Sequence, residues 1–135
     1  AWPGSEVFRY NLYEFDLLTD YMKGRGMNFI DVFKEYVEKY MPQGVFVYQK
    51  NRKLYGDHTG PDEEYIIKKT DPVCSACMKP IFHQVVFRYM QAIKDQLPAD
   101  AQKRENCWYG INCRTMVHNK QHAQKLNHIC EQTKF

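Results

Sequence analysis

An α+β fold follows from three features of this 135-residue sequence. Apolar residues recur at helical spacing up to Tyr40, and short alternating apolar runs follow them. The stretch CWYGINCRTMVHNKQHAQKLNHIC, from Cys107 to Cys130, then packs three cysteines and three histidines into a piece too small for a core of its own. Aromatic side chains make up 15% of the chain, too many for a disordered one, so a packed core is expected beneath the helices and strands.

The elements can be taken in order. Asn11 is a good N-cap, with Glu14 three residues later in the capping-box position. Leu12, Phe15, Leu18 and Met22 share the inner face of the helix that follows, and Gly24 supplies a stop. A second helix is expected from Asn28, with an apolar stripe of Phe29, Val32, Phe33, Tyr36, Val37 and Tyr40; Pro42 and Gly44 end it. GVFVYQKNRKLYG reads as two short strands about a turn near Lys50 to Arg52, and EYIIKK as a third. Val86, Tyr89, Met90, Ile93 and Leu97 mark a third helix, closed by Pro98. PADAQKREN reads as a polar connector, dividing the chain into a platform over 1–100 and a small module over 101–135.

Charge is unevenly placed. The chain carries +3, but residues 1–100 hold thirteen basic and fourteen acidic side chains, and residues 101–135 hold six and two. That directs an anionic partner to the tail, although so small an excess is also what an ordinary solvated surface carries. Apolar runs fall short of a membrane span, and no signal-peptide pattern opens the chain, so no membrane partner is expected. It begins AWPGSEV without a Met, as a piece of something longer would. Asp20, Asp31 and Asp62 to Glu64 have no partner that spacing can vouch for and read as solvated charges.

The five cysteines are odd in number and clustered, unlike a secreted disulfide framework. With histidines among them they read as metal ligands in a reducing, intracellular compartment. Zinc takes four thiolate and imidazole ligands in a tetrahedron, and the terminal segment offers Cys107, Cys113, His118, His122, His128 and Cys130. His118 and His122, four apart, share a helix face. His122 and His128 can meet at one ion only if the helix ends between them. The histidine spacing alone favours the first pair, whereas five residues between the cysteines is not the spacing of an ordinary two-Cys two-His finger.

The order Cys107, Tyr109, Gly110, Cys113, then His122 and His128, resembles the poly(ADP-ribose)-binding zinc finger, PBZ. With the ending HICEQTKF, CWYGINCRT and the upstream GVFV…CSAC pattern, the chain resembles the C-terminal cysteine-rich region of checkpoint ubiquitin ligases with forkhead-associated and RING domains. The resemblance implies a small zinc-stabilised domain of helices and short strands followed by a Cys2His2 finger of PBZ type. It implies zinc ligands at Cys107, Cys113, His122 and His128, with His118 the alternative to His122 and Cys130 a buried thiol. It also implies binding of poly(ADP-ribose) or of proteins carrying it, and a nuclear, mitotic-checkpoint setting. ADP-ribose contacts are expected from Trp108, Tyr109, Gly110 and Arg114, because adenine stacks on flat aromatic faces and a guanidinium pairs bidentately with phosphate. Trp108 could instead pack on the preceding domain, and Arg114 could sit in a surface ion pair.

Cys74 and Cys77 form half of another zinc site. His58 and His83 are candidates to complete it, giving two zinc ions in place of one; the resembled region has further cysteines upstream that this chain lacks, and free thiols are the plain alternative. Two other functions stay open: a finger for single-stranded nucleic acid, and a purely structural protein-interaction module. With no RING ligand series, the chain itself is not expected to be an enzyme.

Overall fold

The computed structural model describes residues 4–41, 43–68 and 75–135, apart from the side chains of residues 75–78. Its architecture is α+β. Helices α1 (Leu12–Gly24) and α2 (Phe29–Tyr40) precede a two-stranded antiparallel sheet of β1 (Val45–Lys50) and β2 (Glu63–Lys68). The long helix α3 (Ser75–Ala92), the short α4 (Ala99–Gln102) and α5 (Lys120–Lys125) follow. Among the described residues no helix is long and apolar enough to cross a membrane.

Local sequence explains the helix starts. The Asn28 side chain accepts from the Asp31 amide while the Asp31 carboxylate accepts from the Asn28 amide, a reciprocal pair that satisfies two donors with no partner inside the helix. At α1 only half of such a pair forms. Asn11 accepts from the Glu14 amide at 3.0 Å, but the Glu14 carboxylate turns inward instead of back to the cap. Leu12, expected inside, is exposed, and Glu14 takes the buried place beside Leu18 and Met22. The helix ends at Gly24, as expected, and Gly26, whose left-handed backbone has φ 64°, makes the turn beyond it.

The sheet pairs differently from the expected hairpin. Val45 to Lys50 lie opposite Lys68 to Glu63, so the partner of β1 is EEYIIK rather than KLYG. The cause is Asn51, whose side-chain oxygen accepts from the amides of Lys53 and Leu54. That local turn ends β1 and sends Leu54 into the core. Phe46 and Tyr48 alternate inward, and Phe46 meets Tyr36 edge-on.

The core lies between α2, α3 and the inner face of β1. Phe82 stacks on Phe33 and meets Phe29 edge-on, and Val32, Val86, Tyr89 and Ile93 are fully or almost fully buried. The Tyr89 hydroxyl donates to the Glu35 carboxylate at the edge of this layer. Pro98 does not close the third helix, which ends at Ala92. Its carbonyl accepts from Ala101 and Gln102 and starts α4, whose Ala101 is buried. The segment expected to be a polar connector is mostly exposed but buries Ala101, and one apolar cluster continues from Val7 to Ile129.

Candidate functional site

The terminal segment carries little apolar bulk, yet its centre is closed. Cys107 lies in the chain just before a tight turn, Gly110–Asn112, and Cys113 follows that turn. Gly110 has φ 51° and is buried; a Cβ there would lie 2.3 Å from the Cys130 carbonyl oxygen, so only glycine lets the backbone pass. Asn119 caps α5 by accepting from the His122 amide, which orients that histidine. The helix then ends at Lys125, and His128 returns from the extended chain beyond it. Six residues of spacing thus become one meeting point, because the helix stops between the two rings.

Cys107, Cys113, His122 and His128 offer ligand atoms that all lie within 4.8 Å of one another. The His122 Nε2 is 3.4 Å from the Cys113 sulfur and 3.9 Å from the Cys107 sulfur, and the two imidazole centroids are 4.9 Å apart. Ligand atoms around a tetrahedral zinc, with Zn–S bonds of about 2.3 Å and Zn–N bonds of about 2.0–2.1 Å, stand about 3.3–3.8 Å from each other. His128 is fully buried, and neither ring nitrogen has a hydrogen-bond partner among the described residues. A buried imidazole with both nitrogens orphaned is costly unless something fills the gap, and two thiols with two imidazoles are the donor set zinc prefers. The residues fit zinc.

The electrostatics agree. Burial, with the His122 ring beside it, holds His128 down to about 4, so its imidazole is neutral and able to coordinate. Burial and the neighbouring Cys113 raise the Cys107 thiol, while the amides of Tyr109 and Gly110 facing its sulfur favour the thiolate. Cys130 is buried and pushed up to about 11 by burial, a protonated thiol directed at the Cys107 and Asn127 carbonyls. His118 is exposed and outside the cluster.

Two sets of polar contacts that the sequence did not foretell hold this centre to the rest of the chain. Glu14 and Arg104 form a buried ion pair at 2.5 Å, and the Glu14 carboxylate also accepts from the His128 amide. Burial raises the Glu14 carboxyl despite the opposing guanidinium. Arg104 donates further to the carbonyls of Ala101, Ala123 and Leu126, tying down the end of α5. Glu14 resembled a capping residue, and nothing in its spacing foretold a partner ninety residues away. Asn112 makes the other set. Its amide donates to the Arg52 and Lys53 carbonyls and to Gln132, and its oxygen accepts from Gly56.

Beside the cluster lies an open groove of about 660 Å³, lined by Arg9, Asp57, Tyr109, Asn112, Arg114 and Gln132 among others. Tyr109 and Arg114 are exposed, and Arg114 forms no ion pair among the described residues. Trp108 is 62% exposed rather than packed on the platform, but it does not line this groove; the Lys134 ammonium sits 4.2 Å from its ring centroid. The expected second zinc site cannot be followed in the same way. Cys74 and the side chain of Cys77 lie outside the described residues. The His58 Nε2 bonds the Pro61 carbonyl at 3.0 Å, and the Nε2 of the half-buried His83 has no hydrogen-bond partner among the described residues.

Comparison with known proteins places both halves. Residues 3–93 match the family described as a cysteine rich domain with multizinc binding regions, and residues 104–133 match the PBZ domain. The E3 ubiquitin-protein ligase CHFR of Xenopus laevis is 36% identical over 130 residues, which is 96% of this chain and 18% of that protein. Mouse CHFR is 33% identical and human CHFR 32% identical over the same length, each covered to 17%. The chain spans about a fifth of the length of the curated relatives it matches.

Proposed function

The chain belongs to the cysteine-rich family with multizinc binding regions and carries a PBZ finger at its C-terminal end, and from that premise we propose that it is the poly(ADP-ribose)-reading part of a checkpoint ubiquitin ligase. Residues 1–100 form its platform and residues 101–135 its finger. Cys107, Cys113, His122 and His128 hold one zinc ion. That ion fixes the turn through Gly110, whose residues have too little apolar surface to fix it themselves.

The observation that carries this reading is the placement of Tyr109 and Arg114. Both stand exposed on one open groove next to the four-ligand cluster, with the guanidinium in no ion pair among the described residues. Each polymer unit presents an adenine and a pyrophosphate. Tyr109 supplies a face for the base, Arg114 a fork for the phosphate, and the backbone at Gly110 the fixed support for both. Zinc serves structure here, so the chain contributes recruitment, while the ligase activity named for the relatives resides elsewhere in a longer protein. Its setting is nuclear, where the polymer would concentrate the ligase on modified targets.

Binding of the purified chain to poly(ADP-ribose), measured with its zinc content and challenged by single-stranded RNA in matched salt, tests the reading. Tight binding that excess RNA does not displace is the expected result. Displacement by RNA at equal nucleotide concentration would turn the assignment toward nucleic acid. Absence of binding with zinc in place would leave a structural finger.

A further inference from the structure

The groove beside the finger has two walls from distant parts of the chain. Tyr109 and Arg114 come from the finger, whereas Arg9, Gly56 and Asp57 come from the platform. The walls are stitched by Asn112, which holds Gly56 on one side and the Arg52 and Lys53 carbonyls beside it, and by the Gln132 amide, which donates to the Lys53 carbonyl. The fit is close, since a Cβ on Gly56 would stand 3.3 Å from Asn112 Cγ. A groove fixed in this way keeps its width without a ligand, which lowers the ordering cost of binding one. Its 660 Å³ falls within the range of about 300–1,000 Å³ typical of small-molecule sites.

Arg9 is unusual in how it is held. Both Arg9 and Tyr10 adopt left-handed backbone, with φ of 52° and 67°, a conformation that side chains other than glycine rarely take. Its guanidinium lies 6.0 Å from the Tyr55 ring centroid, and its ion-pair partner, Asp57, is 4.0 Å away with a side chain 89% exposed. So loose a pair in water is weak and easily given up. The groove thus presents one arginine from each wall against a single carboxylate.

We propose that the polymer site is shared between platform and finger, with Arg9 and Arg114 closing on one pyrophosphate from opposite walls while Tyr109 takes the adjoining base. This rests on the poly(ADP-ribose) reading above. Two guanidinium forks suit a diphosphate better than one, because each phosphate keeps its own charge-assisted pair. Asp57 leaves Arg9 as the anion arrives.

The test compares affinities of the whole zinc-loaded chain for a short ADP-ribose oligomer and for adenosine. Arg9→Ala should weaken oligomer binding about tenfold, the cost of one lost charged hydrogen bond, and leave adenosine binding unchanged. Arg9→Gly should weaken it equally while keeping the melting temperature, because glycine accepts φ 52° without strain. Arg9→Lys should recover part of the loss. Should Arg9→Ala and Arg9→Gly bind as the parent does, while Tyr109→Ala and Arg114→Ala lose affinity, the shared site is overturned and the finger alone reads the polymer. If none of the four variants changes binding, the polymer reading of this groove fails with it. A loss in Arg9→Ala that is absent in Arg9→Gly would make Arg9 a structural residue and overturn the proposal.

Discussion

The platform and the finger bury their interiors with different chemistry. In the platform, Phe8, Leu18, Val32, Val86 and Tyr89 are nearly or wholly inaccessible, and aromatic rings from α2, α3 and β1 interlock. In the finger the buried residues include Cys107, Cys113, His128 and the small Ala123, with Ile111, Met116 and Ile129 the larger apolar ones. Transfer of apolar surface from water can hold the first region at about 25 cal/mol per Å². The second has too little of that surface and needs a metal in its place. The Glu14–Arg104 pair lies where the two meet, charged and sealed from water. The contrast teaches that burial alone does not reveal what stabilises a region; the donor chemistry of the buried atoms does.

The sharpest way to break this contrast is to remove the metal from one side. Cys113→Ala should lose one zinc per chain by native mass spectrometry and unfold the finger, since about 10–16 kcal/mol of metal binding drives such modules to fold. Hydrogen exchange should show α2 and α3 still protected. If their protection collapses as well, the two regions form a single cooperative unit and the contrast is one of chemistry only.

Next comes the seam. Glu14→Ala leaves the Arg104 charge buried without its partner and should cost about 3–5 kcal/mol in denaturant unfolding. Replacing both residues by methionine should cost less than the two single losses added together, because no stranded charge remains. Simple additivity would mean that the pair contributes no coupling across the seam.

A platform core deletion sharpens the other half. Leu18→Ala should destabilise by about 2–5 kcal/mol while zinc content stays unchanged. Zinc loss in that variant would show the finger leaning on α1 for its shape. The smallest expected effect is on stability at the groove. Tyr109→Ala should leave the melting temperature in place and weaken polymer binding by about 1–3 kcal/mol. Trp108→Ala should weaken it less, since Trp108 lies outside the groove lining. The reverse ranking, read by titration calorimetry, would move the base-stacking surface to Trp108.

Much of this was legible in the residues. Asn11 and Asn28 marked two helix starts through short-range capping, and the stripe Phe29, Val32 and Tyr36 marked the inner face of α2. Local hydrogen bonds and helical period act within a turn or two, so the sequence carries them openly. Strand partners were less legible. Whether β1 pairs with KLYG or with EEYIIK depends on one Asx turn at Asn51 and on the place waiting for Leu54. Leu12 and Glu14 exchanged their expected sides because a guanidinium distant in sequence made burial of a carboxylate tolerable.

By itself the sequence determined the fold class, the three longer helices and the set of six residues from which a metal could choose. Those follow from donor chemistry and periodicity, which are properties of neighbouring residues. Only the tertiary structure decided that His128 meets His122 beyond the end of α5 while His118 stays exposed, because a change of chain direction at Leu126 brings the second ring back. Only it brought Arg9 to the groove of Arg114, since that contact joins opposite ends of the chain and depends on how α1, the 51–62 loop and the finger pack together.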